Sequence, residues 1–249
     1  MGNRKSELIN DFEFVVEKIK STHPLAIQGL PDYFNAGAEK LVKQIDSKGS
    51  LLLNLCKLTS LMQDGHTNIE VEYKRGDLCL NLPCIWLNDG LFATTDYFGA
   101  LKGDRITGIG EYSIEEILEK LCEMIPHENE YLVKMRATTY PFINYHIFSE
   151  FMLNYMGVLR NNEARISVIR GKETLTFSIP LENYKGFLAF KSNENFASYW
   201  IENDVAIFKL DECIHNDQYI NKLKDFFEVV KEHNINKIIL DLQIGRAHV

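Results

Sequence analysis

Asp64-Gly65-His66-Thr67 is the stretch of this chain richest in possible chemistry. An imidazole has an unperturbed pKa of about 6.5, so a neutral histidine held between two rigid elements can accept a proton near neutrality. His66 is therefore a candidate general base. A helix C-terminus beside it would favour the charged ring, and a working base here calls for burial to offset that dipole. The same residues also make sense without chemistry, because Asp-Gly is a turn pair and the histidine can be satisfied by backbone. Asp64 and His66 would begin a metal site, but no second His, Asp or Glu pair accompanies them at ligand spacing. No metal and no cofactor is expected. His23 precedes Pro24, His127 and His233 sit among charges, and His146 and His215 have no partner four residues away.

The elements around this tetrad follow from periodicity. Leu8, Phe12, Val15 and Ile19 recur at helical spacing, and Thr22-His23-Pro24 ends that run, since proline disfavours helical geometry in the residue before it. Phe34, Ala38, Leu41, Val42 and Ile45 predict a second helix, and Leu51, Leu55, Leu58 and Met62 a third that stops at Asp64-Gly65. The period then changes to two: Ile69, Val71 and Tyr73 alternate with polar residues, which predicts a half-buried strand. His66 falls at the junction.

Short strands are expected over 78–82, 84–87 and 91–94, followed by Gly103-Asp104-Arg105-Ile106. Ser113 with Glu116 spells a capping box ahead of the apolar face Ile114, Ile117, Leu118 and Leu121. Strands over 164–169 and 174–179 flank the turn Arg170-Gly171-Lys172. The run from Tyr140 to Leu159 is rich in Phe, Tyr and Met at helical spacing, which suits a core helix or the wall of an apolar groove. The last segment reads strand (205–210), helix (Ile220, Leu223, Phe226, Phe227, Val230) and strand (237–242). That order predicts a βαβ unit with a buried parallel pair.

Composition narrows the partners. The 27 Lys and Arg against 35 Asp and Glu leave a net charge of -8 with no basic stripe, which argues against nucleic acid. No apolar run approaches the roughly 18 residues of a membrane span, and acidic residues stand where a signal-peptide core would lie, so a cytoplasmic protein is expected. Cys56, Cys79, Cys84, Cys122 and Cys213 have neither paired zinc spacing nor the density of a disulfide scaffold.

Taken in order, these stretches resemble the C-terminal processing, or tail-specific, serine peptidases and the tricorn core, in the branch that uses histidine. The resemblance rests on Thr22-His23-Pro24, on Asp64-Gly65-His66-Thr67, on the stretch Leu101 to Gly110 with its Gly-Asp-x-Ile, and on Ile238-Ile239-Leu240-Asp241-Leu242-Gln243. It implies an α+β multidomain chain. A helical region spans 1–73 and ends in the tetrad and a strand, a PDZ-like module with a helical insertion spans 74–185, and the first part of an α/β core of the ClpP/crotonase kind spans 186–243. It further implies that His66 is the general base for a serine nucleophile and that the substrate is a peptide or unfolded protein. An alternative on the same architecture is a non-catalytic binder of peptides or apolar ligands.

In that family the serine and its oxyanion donors follow the strand matching 238–242, and neither occurs here. The final stretch, Ile244-Gly245-Arg246-Ala247-His248-Val249, matches the translation of a sequencing adapter, so 244–249 is expected to be an artefact and the chain a C-terminally truncated, inactive fragment.

Overall fold

A computed structural model of the chain describes residues 2–139, 142–185, 196–211 and 215–242. It is a mixed α+β protein that divides into two compact units, residues 1–189 and 190–249. The adapter-like stretch, Cys213, Tyr140 and the 185/186 boundary lie at or beyond the edges of the described residues.

The first unit opens with α1 (Gly2–Thr22), a 3-10 turn (Pro24–Gln28), α2 (Asp32–Val42) and α3 (Lys48–Ser60). Leu8, Phe12, Val16 and Ile19 of α1 pack with Phe34, Ala38 and Leu41 of α2 and with Leu58 of α3, so the 3.6-residue period is spent on one shared core. The α3 face bearing Cys56 belongs to a second, larger core. Ser47 starts α3: its hydroxyl accepts the Ser50 N–H and the Ser50 hydroxyl accepts its own.

Two sequence expectations are corrected directly after α3. The helix ends at Ser60, four residues earlier than Asp64-Gly65, and the left-handed residue is Gln63 (φ 50°), not glycine. The expected strand over 69–73 is extended but is not a strand, with only a single bridge between Glu72 and Phe142. Side chains stand in for the missing sheet neighbour. The Ile69 N–H donates to the Tyr145 hydroxyl (3.0 Å), the Val71 N–H to Asn144 Oδ1 (3.0 Å), and Asn144 Nδ2 to the Ile69 carbonyl (2.6 Å).

The rest of this unit runs β1 (Leu78–Cys79), β2 (Cys84–Leu87), β3 (Gly90–Ala93), β4 (Arg105–Ile109), β5 (Tyr112–Ser113), α4 (Ile114–Cys122), α5 (Glu130–Thr139), α6 (Glu150–Met156), β6 (Glu163–Arg170), β7 (Glu173–Pro180) and β8 (Glu182–Asn183). The order β2-β3-β4-β6-β7 makes one antiparallel sheet, with β5 paired to β4 and a separate β1-β8 pair. The capping box at Ser113 and Glu116 forms as read, and Gly171 takes φ 64° in the turn between β6 and β7. Among the described residues of the expected helix from Tyr140 to Leu159, only α6 is helical. Residues 144–149 form a buried irregular segment, and Tyr145, Phe148 and Met152 lie in the core rather than along a groove.

The second unit holds β9 (Ala197–Glu202), β10 (Val205–Leu210), α7 (Asp217–Glu232) and β11 (Lys237–Asp241), in sheet order β11-β10-β9. A two-residue turn at Asn203 (φ 48°) and Asp204 (φ 64°) joins β9 to β10, as a hairpin with both central residues left-handed requires. The pair β10 and β11 is parallel, as expected from the βαβ order. It is not buried: Ile238, Ile239 and Leu240, which alternate between the two faces of the sheet, are all exposed, so among the described residues neither face of β11 is covered. Among the described residues no helix is long and apolar enough to cross a membrane.

Candidate functional site

The tetrad lies in the irregular link between α3 and the extended segment 69–73, and its side chains are arranged by Asp64. Oδ1 of Asp64 accepts the His66 backbone N–H (3.0 Å), and Oδ2 accepts the Thr67 hydroxyl (2.7 Å). Oδ2 also faces Nε2 of His23 at 3.1 Å. His23 caps the 3-10 turn: its Nδ1 accepts the Leu25 N–H (3.2 Å), which leaves the proton of the neutral ring on Nε2, donating to Asp64. Burial alone would raise the Asp64 carboxyl, but the bonds from His66, Thr67 and His23 outweigh it and hold the group down at about 2.

His66 is the exposed member of the group. Its side chain is 72% accessible, and Nδ1 lies 3.4 Å from Asp64 Oδ1. The burial expected of a base beside a helix end is absent, and α3 closes six residues before the ring. A carboxylate fixed by three donors therefore lies beside an accessible imidazole, bonded to the His66 backbone N–H and not to the ring itself. Among the described residues no hydroxyl or thiol hydrogen-bonds to the His66 ring.

Gly65 fastens this loop to a distant segment. Its N–H donates to Glu128 Oε1 (3.0 Å), and its carbonyl accepts from Arg136 Nη2 and from Asn68 Nδ2 (3.1 Å). Arg136 is buried and also donates Nη1 to the Pro126 carbonyl (3.2 Å), so one guanidinium clamps both segments. A Cβ on Gly65 would meet the end of the Leu132 side chain and come within 3.1 Å of Glu128 Oε2, so a larger residue here would have to displace Leu132.

Sequence reasoning found Asp64 and His66 and missed two neighbours. His23 stands out in the sequence only as part of Thr22-His23-Pro24 at a helix end, with nothing that ties it to Asp64. Glu128 gave no signal at all, yet Asp64, His66 and Glu128 offer ligand atoms that all lie within 4.8 Å of one another, one imidazole and two carboxylates. Of the other described histidines of the first unit, His127 Nδ1 bonds the Ile125 carbonyl (2.6 Å) and His146 is buried elsewhere. No protein-family model and no curated protein sequence matches the chain.

Proposed function

We propose that this chain is the histidine-bearing part of a cytoplasmic serine-type peptidase of the tail-specific kind. One observation carries the reading: an accessible His66 ring set beside a carboxylate that His23, Thr67 and the His66 N–H hold in one orientation and keep ionised. In this reading His66 takes the proton of a serine hydroxyl as that oxygen attacks the peptide carbonyl. The imidazolium, stabilised by Asp64, then gives the proton to the leaving amine, and water repeats the cycle on the acyl-enzyme. Among the described residues no serine hydroxyl bonds the His66 ring, and the reading leaves the nucleophile unassigned.

The antiparallel sheet with α4 is read as the PDZ-like recruiter of a peptide end, which such modules bind by strand addition and carboxylate capture. The parallel unit β10-α7-β11 is read as the opening of an α/β core of the ClpP/crotonase kind. The test is hydrolysis of an unfolded, C-terminally tagged peptide by the product of the completed reading frame. His66→Ala is expected to lower kcat by about 10³-fold or more. Equal rates for parent and variant overturn the reading.

A further inference from the structure

The separation of Asp64 and His66 is informative in itself. Nδ1 and Oδ1 stand 3.4 Å apart, longer than the roughly 2.7 to 3.2 Å of a good N–H···O bond. It is close to the edge of a tetrahedron whose centre lies about 2.0 to 2.1 Å from each ligand, which is about 3.3 Å. The third donor, Glu128, comes from a segment more than sixty residues away and has its atoms within 4.8 Å of the other two.

The surroundings hold these donors in place. Oδ2 of Asp64 is taken by Thr67 and His23, which leaves Oδ1 as the oxygen on the His66 side. This is the outer hydrogen bonding that orients a ligating carboxylate. Arg136 ties the 64–66 loop and the 126–128 segment together through the Gly65 and Pro126 carbonyls, so the two sources of ligands cannot drift apart independently. One imidazole and two carboxylates suit Zn²⁺ and its neighbours in the transition series, while Mg²⁺ prefers an all-oxygen octahedron.

We propose that Asp64, His66 and Glu128 form an open three-ligand site for a divalent transition metal of the Zn²⁺ class. Occupancy also has a consequence that rests on the peptidase reading. A neutral imidazole that ligates through Nδ1 carries its proton on Nε2 and cannot accept another, so the bound ion holds the general base out of action.

The test is calorimetric titration of this chain with ZnCl₂ at pH 7.5 under a phosphine reductant, with and without millimolar Mg²⁺. One Zn²⁺ per chain is expected, undisturbed by Mg²⁺, with the affinity lowered at least tenfold in both Glu128→Gln and His66→Ala. The second variant truncates an exposed side chain and so leaves packing intact. His233→Ala, at the exposed end of α7, serves as the control and is expected to bind as the parent does. Zn²⁺ affinity unchanged in Glu128→Gln and His66→Ala, or no binding at tens of micromolar, overturns the site. Because the readout is binding, it stands apart from the hydrolysis assay: a peptidase reading that fails leaves the titration result where it is.

Discussion

Buried ionisable side chains in this protein divide by whether they carry charge. Arg136 is answered by two carbonyls and lies 6.0 Å from the Tyr145 ring, so its charge is spent on holding the Gly65 loop. His146 is held neutral instead: burial pushes its pKa down to about 3, while its Nδ1 accepts the Phe148 N–H (3.2 Å). An unfolded histidine takes up a proton below about 6.5, so between that value and 3 the unfolded chain binds more protons than the folded one. Stability from this residue is therefore present above pH 6.5 and is lost as pH falls, by up to about 1.4 kcal/mol per pH unit. His146→Gln keeps an acceptor but does not titrate. Urea unfolding at pH 7 and pH 5 is expected to show a smaller acid loss in the variant than in the parent, and an equal loss would show that the folded protein accommodates the charged ring.

At the scale of elements, what the sequence made legible was whatever depends on near neighbours. The stripes of the first two helices and of α4, the capping box at Ser113, the turn at Gly171 and the strand-helix-strand order of the last segment form as their local signals require. The strand misread over 69–73 and the unread half of the site come from partners distant along the chain. Alternation over 69–73 is real, but its backbone is matched by Asn144 and Tyr145, some 75 residues on, and not by a strand. His23 and Glu128 reach the tetrad across 41 and 63 residues. No local period encodes such contacts, so half of the candidate site was invisible. Asn144 follows as the element-level prediction. It is fully buried and serves both the Val71 N–H and the Ile69 carbonyl. Asn144→Ala leaves two backbone groups without those partners, and a loss of about 2 to 4 kcal/mol in chemical unfolding is expected. A loss below about 0.5 kcal/mol would show that water replaces the amide and that 69–73 is not held by it.

For the whole molecule, the distribution of apolar burial sets the order in which parts open. The sheet of the first unit packs Ile106, Ile109, Ala164, Ile166, Val168 and Ile179 against α4 and α6 in one large core. Among its described residues the second unit buries only the apolar side chains of Phe196, Ala197, Ala206, Phe208 and Phe226, and leaves Ile238, Ile239 and Leu240 of β11 exposed. A small apolar core contributes correspondingly little to stability. Local opening free energies follow buried contact density, so amides of β11 should exchange through much cheaper openings than those of β6. Hydrogen exchange at neutral pH is expected to give β11 protection factors at least about 100-fold below those of β6, a difference of about 2.7 kcal/mol in opening free energy. Equal protection would mean that the two units open in one cooperative step and that the small core of the second draws on more than its own side chains. The expected gap would instead make the parallel pair β10-β11 the weakest part of the described fold, and a sheet neighbour on the free edge of β11 the addition that stabilises it most.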